Sequence, residues 1–487
     1  MATLDRIEAA LLGDEERVEM VLRAPDGGFT AATADGRATY RATPDGWTVS
    51  DTEGTPPLAD GAADRFLGTA DEQAQLQPHR SVNAYPDAPE RVAHVFAHSS
   101  APDLAVVRTA AFHVHGNLGE HGSIGAVQSR ASFLAGGKGI RTQGVIDHHI
   151  ANVDVAPTIA ALLGVHPHED GSLLAGQDGT VRHELLDGEQ ADVVVAMLFD
   201  GLNPNLLHDA IESGEVPHLA ALLDDGVSLR KGSLASFPTV TLPNHTTLLT
   251  GRHPGNHGVL SNSWHDRSSG ETPNLLDFQQ MAIACDHLVD GVETLHEAVH
   301  RSDPSAFTGS TYEYADRGAD WSTFDVVRDG GRPNGVPRRG EPIPHADDRF
   351  LDADEYHFQS RIDTASLRQA LAMLDPAQAP DGAAFPDPRF VWINFSLTDT
   401  AGHSAGPHGD MARAALVDSD ARLGEVLAAL DRTGRRKSAA VVVLSDHGME
   451  LTDPAVDGHY RETLAAAGLV DGEDYLDVDD GLIYVLS

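Results

Sequence analysis

The chain has 487 residues, of which 41% are hydrophobic and 22% charged, a composition typical of a folded protein with room for a core domain and inserted elements. The formal net charge of -40 disfavours binding to nucleic-acid polymers and to anionic membranes. No apolar run is long enough for a transmembrane helix, the first residues do not resemble a signal peptide, and Cys285 is the single cysteine, so we expect a cytoplasmic protein.

The first ninety residues predict a small β unit and a connection. Residues 15–50 alternate with a period of two and contain three Asp-Gly pairs, a pattern that predicts an antiparallel meander. Residues 51–90 are rich in Ala, Asp, Gly and Pro, which predicts an irregular connection. From about residue 91, short apolar runs alternate with helical stretches, and this alternation predicts an α/β domain.

A His-Gly pair opens the next segment. Glu120-His121-Gly122-Ser123 precedes an apolar run at 131–134 and a glycine-rich turn at 136–139. A helix signal follows over 152–164, with an Ala-Pro-Thr sequence near its start.

Three later apolar runs each lead into a carboxylate. They are Val193–Phe199 before Asp200, Phe390–Ser396 before Asp399, and Val441–Ser445 before Asp446 and His447. Such runs suit strands of a parallel sheet covered on both faces, and ligands gather at the carboxyl ends of such strands. The pattern therefore predicts one site, although each aspartate taken alone could simply begin a loop.

The segment Phe237–Gly251 predicts a helix with a hydroxyl at its beginning. Pro243 suits the first turn, Gly251 suits the end, and Thr241 lies at the N-terminus. Free amide groups and the helix dipole there would stabilise an alkoxide and a phosphoryl group. An isolated Thr-x-Pro is more often a helix cap, so the neighbouring motifs must decide.

The stretch through Trp264 resembles the type I phosphodiesterase/nucleotide pyrophosphatase family of the alkaline phosphatase superfamily. That family has an apolar strand ending in Asp-Gly, then Thr-x-Pro-Asn-His and Thr-Gly, then His-Gly and an Asn. The matching residues are Asp200-Gly201, Thr241, Pro243-Asn244-His245, Thr250-Gly251, His257-Gly258 and Asn262. The resemblance implies that Thr241 attacks phosphorus and that Asn262 donates a hydrogen bond to a phosphoryl oxygen.

Two later segments resemble the metal-binding motifs of the same family. Asp399-Thr-Ala-Gly-His403 resembles its Asp-x-x-x-His loop, and Asp446-His447-Gly448-Met449 resembles its Asp-His-Gly-Met motif. Oxygen and imidazole ligands without thiolates suit zinc, although manganese or iron would also fit. A further Asp-His pair, Asp147-His148, we interpret as surface polar residues.

The last His-Gly of the family does not follow Asp-His-Gly-Met here. Gly458-His459 is too close and no strand follows it, whereas His121-Gly122 is followed by the expected strand, glycine-rich turn and Pro-Thr helix. We therefore predict a circular permutation, in which the fold runs through 191–487 and then 1–165.

An alternative to the permutation stays open. Residues 90–165 could be an unrelated α/β unit with a fortuitous His-Gly, and His113 and His115 are rival ligands. By resemblance, two divalent ions are implied, with zinc the first expectation. One would take Asp399, His403 and His121; the other would take Asp200, Asp446, His447 and the Thr241 oxygen.

The resemblance implies a three-layer α/β/α sandwich with a mostly parallel central sheet, to which the β meander and inserted cap elements are added. The predicted divisions are 1–90 (meander and insertion), 91–190 (end of the permuted core and junction), 191–264 (core with the nucleophile), 265–385 (cap) and 386–487 (core with metal ligands).

The implied activity is hydrolysis of a small phosphorylated substrate through a phospho-threonine intermediate. A phosphodiesterase or nucleotide pyrophosphatase is the first hypothesis, and a nucleotide is one possible substrate. Residues 290–330 do not match the segment expected to shape a nucleobase pocket, so nucleotide preference stays open. Alternatives are a phosphomonoesterase or phosphonate hydrolase, a phosphoryl transferase or mutase, and an inactive binding relative.

Overall fold

The computed structural model describes residues 3–24, 27–44, 46–74, 83–109, 116–338, 340–379, 385–453, 455, 458–478 and 481–486. The strands in these residues are β1 (Val18–Arg23), β2 (Phe29–Thr33), β3 (Gly36–Thr43), β4 (Gly46–Gly54), β5 (Leu104–Arg108), β6 (Gly119–Glu120), β7 (Arg130–Ala131), β8 (Phe133–Gly137), β9 (Gly144–Ile146), β10 (Ile150–Ala151), β11 (Val193–Phe199), β12 (Gly226–Leu229), β13 (Ser233–Leu234), β14 (Phe307–Thr311), β15 (Trp321–Ser322), β16 (Pro388–Phe395), β17 (Ala439–Leu444), β18 (Glu450–Leu451), β19 (Tyr475–Val478) and β20 (Leu482–Val485).

The helices are α1 (Thr3–Leu12), α2 (Thr69–Ala74), α3 (Ala88–Val95), α4 (Ala126–Ser129), α5 (Val155–Leu162), α6 (Pro204–Ser213), α7 (Pro217–Asp224), α8 (Thr241–Thr250), α9 (Pro254–His257), α10 (Phe278–Met281), α11 (Leu295–Ser302), α12 (Thr323–Arg328), α13 (Asp354–Leu374), α14 (Leu397–Ala405), α15 (Asp410–Arg432) and α16 (Arg461–Ala466). Among the described residues, no helix combines the length and the apolar character needed to cross a membrane.

The central sheet has eight strands in the order β15-β14-β16-β11-β17-β8-β12-β9. Only β8 runs antiparallel to its neighbours β17 and β12. Helices cover both faces, with α6, α7, α13, α14 and α15 on one side and α5, α8 and α11 on the other. The predicted three-layer architecture with a mostly parallel sheet is confirmed.

Burial on both faces explains the apolar runs that predicted this sheet. Along β11, Val195 and Met197 pack into the core on one face, and Val194 and Ala196 pack into the core on the other. Alternate residues of a strand point to opposite faces, so a strand covered twice must be apolar throughout.

A second sheet has seven antiparallel strands in the order β19-β20-β5-β1-β2-β3-β4. The predicted meander is confirmed as β1 to β4, but the sheet is larger than predicted. It gains β5, which the predicted divisions placed in the core, and the C-terminal hairpin of β19 and β20. One face packs on Phe237, Leu242 and Trp264, which flank the predicted nucleophile. The other face is covered by α1 and α16.

The predicted cap over residues 265–385 needs correction. Its strands β14 and β15 belong to the central sheet, and α13 packs on one face of that sheet. β14 was not predicted because four of its five residues, the Thr-Gly-Ser-Thr that follows Phe307, are small or polar although all five are buried. Gly309 lies so close to Met373 that an added Cβ would be 2.2 Å from the sulfur. Small residues in this strand allow α13 to pack closely against it, so the strand lacks the bulky apolar side chains of its neighbours.

Candidate active site

The candidate site lies where three central strands end. Phe199 of β11 pairs with Phe395 of β16, and Leu198 of β11 pairs with Leu444 of β17, so the carboxyl ends are level. The side chains that follow these ends are Asp200, then Asp399 and His403 on α14, and then Asp446 and His447. The parallel sheet therefore brings together residues that are up to 247 positions apart in the chain.

The first cluster consists of His121, Asp399 and His403. The two Nε2 atoms are 3.2 Å apart and lie 3.7 Å (His121) and 3.5 Å (His403) from Oδ1 of Asp399. Nδ1 of His121 donates to the Thr239 carbonyl at 2.9 Å, and Nδ1 of His403 donates to the Gly119 carbonyl at 2.7 Å. With the protons on Nδ1, two Nε2 lone pairs face each other. A divalent cation between them would be coordinated by both nitrogens, which would remove the repulsion between the lone pairs.

The second cluster consists of Asp200, Asp446 and His447, all buried. Nε2 of His447 lies 3.0 Å from Oδ2 of Asp446 and 3.7 Å from Oδ1 of Asp200, and its Nδ1 faces the Gly448 carbonyl at 2.9 Å. Oδ1 of Asp200 and Oδ2 of Asp446 accept no hydrogen bond from the described residues. Buried carboxylate oxygens without donors are costly unless a cation compensates them.

The pKa shifts of these groups indicate a site that added positive charge would stabilise. Burial, with the carboxylates of Asp446 and Asp399 nearby, raises the pKa of Asp200 well above its usual value. Burial lowers the pKa of His447, but Asp446 and Asp200 outweigh it and raise that pKa to about 9. Burial, with His447 and His403 beside it, holds the pKa of His121 well below its usual value, so His121 is neutral and able to act as a ligand.

Thr241 lies beside the second cluster, as the first residue of α8. Its Oγ1 is 3.4 Å from Nε2 of His447. The backbone N–H of Leu242 donates to Oδ1 of Asn262 at 2.9 Å, which holds the predicted phosphoryl-binding amide next to the start of the helix. Every residue predicted for the site therefore lies in or beside one of the two clusters. Asp200, Asp399 and His447 also form an overlapping group that joins them.

Two buried residues of the site carry no predicted role. His245 lies one helical turn after Thr241 and faces Asp200 and Asp446, and its other ring nitrogen contacts Glu313. His245 was noted only as part of the nucleophile motif, and Glu313 is 68 residues further along. No spacing rule links two such positions, because tertiary packing alone brings them together.

The rival positions do not compete with these clusters. Asp147 is exposed and pairs with Lys231 at 3.2 Å, and His148 next to it is also exposed, as predicted for surface residues. The rival ligands His113 and His115 lie outside the described residues.

An open cavity of about 430 Å³ adjoins the first cluster. Its lining includes Asp399 and His403 of α14 and Asp354, Glu355 and Phe358 from the beginning of α13.

Comparison with known proteins identifies the family. The family described as Type I phosphodiesterase / nucleotide pyrophosphatase matches residues 194–480, which is more than half of the chain. The chain therefore belongs to this family, within the alkaline phosphatase superfamily, as its motifs predicted.

Individual relatives are distant. Rat ectonucleotide pyrophosphatase/phosphodiesterase family member 1 is 25% identical over 251 residues, covering 52% of this chain and 23% of the rat protein. An uncharacterized pyrophosphatase/phosphodiesterase of Schizosaccharomyces pombe is 25% identical over 268 residues, 55% of this chain and 44% of that protein. The chain thus aligns with less than half the length of these relatives.

Solved structures of similar proteins include phosphonoacetate hydrolase from Sinorhizobium meliloti 1021 in complex with phosphonoformate. It is 19% identical, with a TM-score of 0.35, over 56% of this chain and 59% of that one. Murine ectonucleotide pyrophosphatase / phosphodiesterase 5 is 18% identical, with a TM-score of 0.34, over 53% of this chain and 57% of that one.

Proposed function

We propose that this protein is a metal-dependent hydrolase that cleaves phosphate diesters or nucleotide pyrophosphate bonds through a phospho-threonine intermediate at Thr241. The observation that carries the proposal is the position of the Thr241 hydroxyl. It stands at the N-terminus of α8, 3.4 Å from Nε2 of His447, beside two clusters of buried carboxylates and imidazoles. The names of the curated relatives support the substrate class.

The residues around Thr241 suit attack on phosphorus. Oγ1 of Thr241 would form a bond to phosphorus while the bond to the leaving oxygen breaks, and water would then release the phosphoryl group and restore the hydroxyl. The helix dipole at the start of α8 stabilises negative charge on the alkoxide and the phosphoryl oxygens. Oδ1 of Asn262 accepts a hydrogen bond from the Leu242 N–H, and the amide group of Asn262 would donate to a phosphoryl oxygen.

Two divalent cations fit the two clusters, with zinc as the first expectation and manganese or iron as alternatives. Asp399, His403 and His121 would hold one, and Asp200, Asp446, His447 and Thr241 the other. When bound, such cations lower the pKa of a coordinated hydroxyl and neutralise charge on the phosphoryl group.

We also propose that the chain is a circular permutation of its family. The family match begins at residue 194, whereas the remaining metal-site histidine is His121. Residues 133–137, which follow it, form β8 between β17 and β12 of the central sheet. Both chain ends belong to one unit, because α1 and α16 pack in the same core.

The test of the activity compares a diester, bis(p-nitrophenyl) phosphate, with the monoester p-nitrophenyl phosphate. Diester turnover should exceed monoester turnover, and Thr241→Ala should lower it at least about a thousandfold. Thr250→Ala is the matched control, since Thr250 is a buried threonine on the same helix whose hydroxyl donates to the Thr246 carbonyl. Monoester preference would reassign the protein to a phosphatase or phosphonate hydrolase, and equal turnover in Thr241→Ala would remove Thr241 as nucleophile.

A further inference from the structure

Helix α14 carries two of the expected metal ligands, and its first turn does not cap itself. Asp399 is the third residue of α14 and His403 is the seventh. In the described part of the chain, the side chain of Ser396, which precedes the helix, makes no capping hydrogen bond. The first N–H groups of a helix have no partner within that helix, so they need an acceptor from another element.

Asp363 of α13 supplies this acceptor. Its Oδ1 accepts from the Ser396 N–H at 3.0 Å, and its Oδ2 accepts from the Leu397 N–H at 3.3 Å. Asp363 is 0% exposed, so bulk water cannot take its place. A carboxylate at this end of a helix also interacts favourably with the helix dipole. Asp363 therefore holds the start of α14 against α13.

A buried arginine stabilises the charge of Asp363. Arg422 of α15 is fully buried, and its guanidinium lies 5.8 Å from the centre of the Phe395 ring at the end of β16. Burial raises the pKa of Asp363 to about 6, and the positive charge of Arg422 opposes that rise, as do the two N–H donors. Asp363 is therefore ionised at neutral pH, with both oxygens available as acceptors.

Asp399 depends on this cap more than His403 does. Asp399 lies in the first turn of α14, and its buried Oδ1 has no hydrogen-bond partner among the described residues. The backbone of the first turn therefore sets the distance of 3.5 Å between this oxygen and Nε2 of His403. His403 is held separately, because its Nδ1 donates to the Gly119 carbonyl at 2.7 Å.

We propose that Asp363 is a positioning residue for the cation site of Asp399, His403 and His121, and that it acts by capping α14. The inference rests on the metal site of the proposed function and leaves the ligands of that site unchanged. Without the cap, the first turn would fray, and Asp399 would be less well placed beside the two imidazoles. Cation binding would in turn stabilise the cap, because coupling between two equilibria is reciprocal.

Asp420 of α15 provides a matched control within the same chain. It is also buried, and its carboxylate accepts from the backbone N–H groups of His218 at 3.2 Å and Leu219 at 2.7 Å. Both groups lie in the first turn of α7, whose preceding residue, like that of α14, gives it no side-chain cap within the described segments. No residue predicted for the site lies on α7. Asp420 therefore caps a helix as Asp363 does, but that helix carries no expected ligand.

Two asparagine variants separate positioning from simple stabilisation. Asp363→Asn removes the charge and places an NH2 donor against one of the two N–H groups. It should weaken one of the two bound zinc ions about tenfold in a chelator competition and leave the other at wild-type affinity. Asp420→Asn should lower the melting temperature about as much as Asp363→Asn does and leave both zinc affinities unchanged. An equal loss of zinc affinity in the two variants would refute the positioning role.

Amide hydrogen exchange of the wild-type protein provides a second measurement that needs no variant. Zinc should slow exchange at Ser396 and Leu397 more than at His218 and Leu219, because only α14 carries expected ligands. Equal slowing at the two helix starts would refute the coupling between cap and cation. This comparison decides the question if Asp363→Asn does not fold.

The outcomes also separate this inference from the proposed function. If the wild-type protein and a folded Asp363→Asn protein each bind two zinc ions with the same affinities, the positioning role is refuted and the two-cation site stands. A wild-type protein that binds no divalent cation would refute both.

Discussion

At the scale of single residues, His121 carries the most information because it precedes all the other expected ligands in the chain and lies outside the segment that matches the family. Its Nε2 is 3.2 Å from that of His403, and its Nδ1 is fixed by the Thr239 carbonyl. If residues 90–165 were an unrelated unit with a fortuitous His-Gly, there would be no chemical reason for His121 to lie against His403 of α14.

We expect His121→Gln to weaken one of the two bound cations by at least about tenfold to a hundredfold and to leave the other unchanged, since a neutral amide replaces an imidazole ligand. Chelator competition followed by metal analysis measures this. His148→Gln is the control, because His148 is exposed and pairs with Glu184 away from the site. Wild-type affinity for both cations in His121→Gln would contradict the ligand role.

A second residue-scale prediction concerns pH. His296 of α11 is fully buried against Phe390, and neither ring nitrogen has a hydrogen-bond partner among the described residues. Burial, with His300 nearby, lowers the pKa of His296 to about 3. Below about pH 6.5 the unfolded chain therefore binds a proton that the folded chain does not, and stability falls as pH falls.

Replacing His296 with phenylalanine should remove this dependence. Between pH 7 and pH 5 the wild-type protein should lose about 2 kcal/mol more of its free energy of unfolding than His296→Phe does. Urea unfolding at the two pH values measures the difference, and the same loss in both proteins would show that His296 is not a buried neutral group.

At the scale of elements, the start of α8 depends on a single amide. Oδ1 of Asn244 accepts from the Ser236 N–H at 2.7 Å, and its Nδ2 donates to the carbonyls of Pro238 at 3.0 Å and Val240 at 2.9 Å. The side chain is 0% exposed and ties the loop before the nucleophile to the first turn of the helix. Thr241 is therefore positioned by the residue three places after it.

Asn244→Ala should leave these buried backbone groups without partners and lower the free energy of unfolding by about 2–4 kcal/mol. Turnover should fall with little change in cation affinity, because the ligands predicted from the sequence, apart from Thr241, lie on other elements. Asn256→Ala, on the nearby helix α9, is the matched control with a less buried amide. Wild-type turnover in a folded Asn244→Ala protein would show that the loop is held by other contacts.

The elements also show what the sequence can and cannot predict. β11, β16 and β17 were predicted because burial on both faces requires continuous apolar residues, and α8 was predicted because Pro243 suits its first turn and Gly251 suits its end. β14 has neither signal, so it was assigned to a cap. His245 had no predicted role for a related reason, because its partner Glu313 follows that same unrecognised strand. Local sequence patterns indicate which residues are buried, but they do not indicate which distant residue packs against them.

At the scale of the whole molecule, charge is the dominant feature. The sequence has 74 Asp and Glu against 34 Lys and Arg, so forty acidic side chains would be left over if every Lys and Arg formed one ion pair. Repulsion among like charges destabilises a compact state. Two bound divalent cations would offset only a small part of this excess, so the rest must be screened by solvent ions.

Added salt acts in two opposite directions on such a protein. It weakens exposed ion pairs such as Arg349–Asp347, which contribute little to stability, and it also screens the repulsion among unpaired carboxylates. The Debye length falls from about 10 Å at 0.1 M to about 3 Å at 1 M ionic strength, which is shorter than most spacings between surface charges. Because the carboxylates outnumber the cations by more than two to one, the loss of repulsion should be the larger effect.

We therefore expect the melting temperature of the metal-loaded protein to rise by several degrees between 0.1 and 1 M KCl. Scanning calorimetry with the divalent cation held in excess measures this, so that changes in cation binding do not contribute. The same titration at pH 4.5, where many carboxylates are protonated, should give a smaller rise because there is less repulsion to screen. A melting temperature that falls with KCl at neutral pH would mean that ion pairs, rather than unpaired acidic groups, dominate the surface.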